Sequence, residues 1–181
     1  MSIPPISTER LELVAITPEQ YERLAIDRSD PSVFGELRNP YGHLVTEPGP
    51  LVHRIPRVRA NPEFAPYAVR LAVLRDERVI IGSAGFHDLP DDRGMIEIGL
   101  GIVAPMQRRG YARELVHGMW GWVITQPNVR VLRYSCGVAN APSQALVKSL
   151  GFEHVEVQID EDDGPEDVYE LSVERYLARF Q

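Results

Sequence analysis

Gln107-Arg108-Arg109-Gly110-Tyr111-Ala112 follows a strand-like run at residues 95–103 and opens a strongly amphipathic helix. A glycine-containing basic turn between strand and helix presents unpaired backbone N–H groups and the positive end of a helix dipole. That is a physical recipe for holding phosphate. Downstream, Ala112, Leu115, Val116, Met119, Trp120 and Val123 fall at i, i+3, i+4, i+7, i+8 and i+11, one helical stripe. Gly118 and Gly121 interrupt its propensity, either to allow close approach to a sheet or as tolerated surface positions.

Upstream, residues 11–16 read as a first strand. Thr17-Pro18-Glu19-Gln20 then offers an N-cap, a first-turn proline and a capping-box glutamine for a helix to about residue 27, with Tyr21, Leu24 and Ala25 facing the core. Residues 28–66 carry prolines 31, 40, 48, 50, 56, 62 and 66, which predicts loops with one or two short helices. Residues 67–74 and 78–86 read as hairpin strands, and Asp91-Asp92-Arg93-Gly94 turns into the strand at 95–103.

Past the amphipathic helix, residues 129–138 read as a strand. Asn140-Ala141-Pro142 caps a helix that stops at Gly151, a good residue to follow a helix end. Residues 154–159 and 168–173 are the last strands, separated by an acidic loop over 160–167. The order β-α-loop-βββ-α-β-α-ββ predicts a mixed α/β (α+β) sheet in one domain spanning 1–181.

A charge of −7 argues against a general nucleic-acid binder, which needs a basic face, and suits either solubility or a cationic partner. The single cysteine, Cys136, excludes an internal disulfide and reads as a small core residue on an apolar strand. The five histidines show no paired metal-ligand spacing, and no nucleophile elbow is present. No apolar run approaches about 18 residues, and the first ten residues lack the pattern of a signal peptide, so a cytoplasmic protein away from the membrane is expected.

Three further stretches add to the turn: Thr8-Glu9-Arg10-Leu11 with Ile16-Thr17-Pro18-Glu19; Glu97-Ile98-Gly99, ten residues before Gln107; and Asn140-Ala141-Pro142-Ser143 with Leu150-Gly151-Phe152. In this order they resemble the GCN5-related N-acetyltransferase (GNAT) superfamily, within it the branch of ribosomal-protein N-terminal acetyltransferases. The resemblance covers nearly the whole chain. It implies a GNAT-like acyl-CoA N-acyltransferase fold, a mostly antiparallel central sheet flanked by helices and splayed between the family's fourth and fifth strands.

The resemblance also implies acetyl-CoA as cofactor. Gln107, Arg108, Arg109, Gly110, Tyr111 and Ala112 would form its pyrophosphate site, with Arg108 and Arg109 either adding charge at the rim or lying solvated. Ile102 and Val103 would meet the pantetheine arm, a backbone N–H near Ile102 polarising the thioester carbonyl. Gly99 and Gly101 fit a strand closely approached by another chain, or mark a bulge.

Glu97 is the candidate base, acting through water, or else a structural carboxylate. Many relatives carry a tyrosine general acid where this chain has Val147. Ser143 resembles a serine that members of this branch place near the CoA sulfur, and reads equally as a polar first-turn residue. Asn140 caps the helix, contacts the pantetheine amide, or both.

The implied reaction is acetyl transfer to a primary amine, by direct attack in a ternary complex. The acceptor is a protein N-terminus or a small molecule, and the enzyme a monomer or homodimer. The acidic loop reads as a solvated turn, or as an attractant for a cationic amine. The missing tyrosine leaves one alternative, an acyl-CoA-binding sensor without turnover.

Overall fold

The computed structural model of the chain describes residues 3–160 and 164–180. Eight strands are hydrogen-bonded in one sheet in the order β1-β2-β3-β4-β5-β6-β8-β7. They are β1 (Ile6–Ser7), β2 (Leu11–Ala15), β3 (Arg70–Leu74), β4 (Val79–Phe86), β5 (Met95–Ile102), β6 (Val131–Gly137), β7 (Glu153–Asp160) and β8 (Gly164–Ser172). The helices are α1 (Pro18–Ile26), α2 (Leu51–Ala60), α3 (Ala65–Ala68), α4 (Tyr111–Val123), α5 (Ala141–Ser149) and α6 (Val173–Phe180). The chain divides into two compact units: Met1–His87 with Leu100–Met119, and Asp88–Gly99 with Trp120–Gln181.

In the first unit, β2 alternates as its sequence does, burying Leu11, Leu13 and Ala15. Strands β3 and β4 are buried along their whole length, so they read as continuous apolar runs. The β3 strand starts three residues later than its expected start at 67, because residues 65–68 close a helical turn, α3, first. Arg70 is a buried cation held by the carbonyls of Pro66, Pro4 and Leu13, and burial lowers its pKa to about 10, so it stays charged.

The capping box of α1 forms as expected, with Thr17 accepting from the Gln20 N–H and the Gln20 side chain accepting from the Thr17 N–H. Tyr21 and Leu24 are buried, whereas Ala25 is exposed, one step off the buried stripe. The proline-rich segment holds loops and short helices, as expected. Ten-residue α2 buries Leu51, Arg54 and Val58 at i, i+3 and i+7, with Pro56 inside it. Pro56 lies on the exposed face, so the Val52 carbonyl it leaves without a helical donor sits beside solvent.

Helix α4 buries Leu115, Val116, Met119, Trp120 and Val123 completely, and Ala112 partly. A Cβ at Gly118 would come within 2.8 Å of Thr8 Cγ2 and 2.9 Å of Leu13 Cδ1, so that glycine permits close packing on β2; at Gly121 the space is open.

In the second unit, β5 pairs in parallel with β6 from Met95↔Val131 to Ile98↔Tyr134. The pairing stops there, although β5 runs to Ile102 and β6 to Gly137. Trp120 stacks on Phe152 at 6.0 Å, with Leu132, Val147, Leu150 and Leu171 buried in the same unit. Helix α5 ends as read, with Gly151 at φ +87°.

The acidic loop expected over 160–167 is mostly strand. Residues 164–167 belong to β8, while 161–163 lie outside the described residues. Glu166 accepts from Gln158 and Asp167 from Gln144 and His154, so these carboxylates join neighbouring elements rather than forming a solvated turn. The last strand ends at Ser172, and residues 173–180 form α6, a helix that the strand reading of 168–173 obscured.

Candidate active site

The turn before α4 has two residues in the left-handed region, Arg108 at φ +60° and Gly110 at φ +82°. Glycine takes this conformation freely; an arginine does so at a cost in strain. Left-handed residues interleaved in a turn aim successive N–H groups into one concavity, an anion nest. Among the described residues, none accepts a hydrogen bond from the backbone N–H groups of residues 108–112. The side chains of Arg108 and Arg109 are exposed. Unmet N–H donors, a positive helix end and two flanking cations fit a pyrophosphate.

Arg10 braces this turn. Its guanidinium donates to the Arg109 carbonyl at 3.0 Å, pairs with Glu114 at 2.7 Å, and lies 4.4 Å from the Tyr111 ring centroid. Glu114, in the first turn of α4, also accepts from the Thr8 hydroxyl and the Arg10 N–H, both at 2.6 Å. Burial raises its affinity for a proton, but the hydrogen bonds from Thr8 and Arg10 outweigh this and hold the pKa below its ordinary 4.5. Thus the Thr8–Arg10 stretch that contributed to the family resemblance is the clamp that shapes the turn.

At the end of β5, the Val103 N–H donates to the Ile81 carbonyl at 2.9 Å. That bond takes Val103 out as an oxyanion donor. Ile102, one residue back, directs its N–H and C=O to the opposite strand edge, and its carbonyl accepts from Gln107 Nε2 at 2.8 Å. Gln107 therefore ties the strand end to the turn. The tight glycine here is Gly82, where a Cβ would lie 2.2 Å from the Gly101 carbonyl; at Gly101 the same construction meets only open space.

In the second unit, Asn140 caps α5 by accepting from the Ser143 N–H at 3.2 Å. The Ser143 hydroxyl lies 3.2 Å from the hydroxyl of Tyr134 on β6. Val147, farther along α5, is fully buried. Glu97 is half-buried on β5, in register with Arg133. The Arg133 guanidinium bonds to Glu170 at 2.6 and 2.9 Å. Cys136 is buried, and burial together with Asp167 and Glu166 pushes its thiol pKa up, away from a nucleophilic thiolate.

Residues 10–153 match the model of the acetyltransferase (GNAT) domain. The chain belongs to the GNAT acetyltransferase family. The general reaction of that family is transfer of an acetyl group to an amine.

This GNAT chain is 33% identical over 82 residues to the uncharacterized N-acetyltransferase YjdG of Bacillus subtilis (strain 168). The match covers 45% of the chain and 49% of that protein, about half the length of the relative. Its fold resembles a putative ribosomal-protein-serine acetyltransferase from Vibrio cholerae, with TM-score 0.66, 21% identity, and 95% and 99% of the two chains covered. It also resembles the microcin C7 self-immunity acetyltransferase MccE, solved in complex with acetyl-CoA and AMP. There the TM-score is 0.62, the identity 13%, and the coverage 92% and 94%. Among the described residues, no helix of this GNAT chain is long and apolar enough to cross a membrane.

Three residues with evident work escaped the sequence reading: Arg10, Tyr134 and His43. Arg10 stood inside a recognised stretch, but its contacts cross about a hundred residues, beyond any spacing rule. Tyr134 lies on an alternating strand and was indistinguishable there from a core aromatic. His43, in the proline-rich segment, places Nε2 2.9 Å from Ser83 Oγ on β4. Burial holds its pKa below 6.5, and Asn39 bonds to its backbone on both sides, so the pair fastens part of the segment to the sheet.

Proposed function

We propose that this GNAT chain is an acetyl-CoA-dependent N-acetyltransferase that acts on a primary amine by direct attack in a ternary complex. The carrying observation is the turn at residues 107–112, where two left-handed residues and unmet N–H groups lead into α4. Such a site favours a diphosphate. The MccE complex supports the reading, since that similarly folded protein binds acetyl-CoA.

Acetyl-CoA supplies the activated acetyl group. In this reading, residues 108–112 hold the pyrophosphate by their N–H groups, and Arg108 and Arg109 add charge at its rim. The Ile102 N–H serves as hydrogen-bond donor to the acetyl oxygen as negative charge builds there. Glu97 takes the proton of the acceptor amine through a water, and Ser143 delivers a proton to the departing sulfur. Asn140 holds the backbone of Ser143 and contacts the pantetheine arm. The likeness to a putative ribosomal-protein-serine acetyltransferase favours a peptide N-terminus as acceptor over a small amine, and we adopt that order.

Release of free CoA thiol tests this directly, using acetyl-CoA with serine-leading peptides, spermidine and amino acids as acceptors. Turnover on at least one is expected, with Glu97→Gln lowering kcat and altering its pH profile. Unchanged kinetics in Glu97→Gln would remove it as the base. Saturable CoA binding with no turnover on any amine would instead make the chain an acyl-CoA sensor. CoA at 100 times its Kd should stabilise the fold by about 2.7 kcal/mol. No thermal shift at all would end both readings.

A further inference from the structure

Along β6 the side chains alternate, with Leu132, Tyr134 and Cys136 buried and Arg133, Ser135 and Gly137 half-buried. Tyr134 stands opposite Ile98 on one side and Tyr169 on the other, at the last pair that β5 and β6 share. Its ring is 4% exposed, and its hydroxyl meets the Ser143 hydroxyl at 3.2 Å. Distance alone leaves open which group donates, but burial decides it. A phenol this buried stays protonated, because burial raises its pKa more than the Ser143 bond lowers it. Among the described residues Ser143 is the only hydrogen-bond partner of that hydroxyl. If serine donated to it, the phenol proton would be left unmet in the interior, at a real energetic cost. Half-buried Ser143 has somewhere else to send its proton. The arrangement therefore runs from Tyr134 O–H to Ser143 Oγ, and from Ser143 O–H outward. The Asn140 cap holds the same serine by its N–H.

We propose that Tyr134 is a positioning residue for acetyl transfer: it holds the Ser143 hydroxyl with its proton directed outward and makes that proton easier to release. The proposal rests on the reading of Ser143 as the donor to the departing sulfur. As nitrogen bonds to the acetyl carbon and the carbon–sulfur bond breaks, the sulfur takes the Ser143 proton. The serine oxygen, carrying the developing charge, is stabilised by the Tyr134 O–H and regains a proton from solvent water. The proton lost by the acceptor nitrogen passes through a water to Glu97 and from there to solvent, so the exchange balances. Donation into an oxygen makes its own proton a stronger donor, which is the cooperative effect of chained hydroxyls. The proton donor thus stands on α5 and its support on β6, while Val147 farther along the same helix is buried and offers no hydroxyl.

The test compares Tyr134→Phe, Ser143→Ala and the double variant in thiol release, with acetyl-CoA and the serine-leading peptide, spermidine and amino-acid panel. Tyr134→Phe should lower kcat about tenfold, the factor one neutral hydrogen bond is worth. KM for acetyl-CoA should stay within about twofold and the melting temperature within a few degrees. Ser143→Ala should lower kcat further, and adding Tyr134→Phe to it should cost nothing more, since the tyrosine acts only through the serine. Unchanged kcat in Tyr134→Phe alongside a defective Ser143→Ala overturns the proposal and leaves the enzyme assignment standing. So do losses that multiply in the double variant. Absence of thiol release by the unaltered protein on every amine overturns the enzyme assignment itself, and this proposal with it.

Discussion

Two helix N-termini in this protein are built in opposite ways. At α5, Asn140 accepts from the Ser143 N–H, and Pro142 occupies a first-turn position where no N–H is needed. At α4 the chain enters through left-handed Arg108 and Gly110, and no described residue accepts from the N–H groups of residues 108–112. The closed end has acceptors within the chain for the N–H groups of Ala141 and Ser143. The open end keeps a left-handed arginine and N–H donors that an anion would satisfy, which is what the proposed phosphate site requires.

The largest way to break this contrast is to show that the closed end is also chemical. Ser143→Ala leaves the backbone cap intact but takes away the partner of the buried Tyr134 hydroxyl, so the fold should persist at a cost of about 1 kcal/mol. If the serine supplies the leaving-group proton, kcat should fall about a hundredfold. Steady-state thiol release measures it, and a loss below about threefold would return Ser143 to the role of a first-turn polar residue.

Next in size is the open end. Gly110→Val forces a β-branched residue to φ +82°, which such side chains avoid. CoA affinity by calorimetry should drop at least tenfold as the N–H groups lose their common aim. The new Cβ would meet only Arg10 Nη2, at 3.4 Å, so backbone conformation rather than crowding is what is tested. Full CoA affinity in this variant would mean that the turn does not hold the phosphates.

How legible these two ends were in the sequence follows from where their determinants lie. Both helices, the α1 capping box and the strand before α4 rest on signals within a few residues, and all stand where the reading placed them. The contents of the open turn were legible too, in Gly110 and the arginines beside it. Its brace was not: Arg10 and Glu114 are brought together only by the packing of α4 on β2. The same holds for Tyr134, whose partner Ser143 reaches it across a strand-to-helix connection. A short helix was expected among the prolines but its place was not legible, because Pro56 lies on the exposed face of α2 and tertiary burial of Leu51, Arg54 and Val58 decides where it forms. In α6 the local signals misled, and the β8 strand reading ran one residue too far, into that helix.

The Glu114 brace gives the open end a pH dependence. Its folded pKa lies below its ordinary 4.5, so its contribution to stability is complete above that value and fades as pH falls through the folded pKa. The melting temperature should therefore decline below about pH 4.5 more steeply in the unaltered protein than in Glu114→Gln. At pH 7 that variant should be less stable by about 2 kcal/mol, because a carboxylate accepting charge-assisted bonds is replaced by a neutral amide. Parallel pH profiles for the two proteins would show that the carboxylate does not carry the brace.

The smallest expected effect is at Asn140, and it separates the two roles given to that residue. Asn140→Ala removes the acceptor for the Ser143 N–H and should cost about 1 kcal/mol, a typical value for an N-cap. Asn140→Asp keeps an oxygen in the same place and adds a negative charge favourable to the helix dipole, so its stability should equal or slightly exceed that of asparagine. What aspartate cannot keep is the side-chain N–H donor. If Asn140 also donates to a pantetheine carbonyl, CoA affinity should fall in the aspartate variant while the melting temperature holds. Equal CoA affinity in all three proteins would confine Asn140 to capping, and the closed terminus would then contribute to acetyl transfer through Ser143 alone.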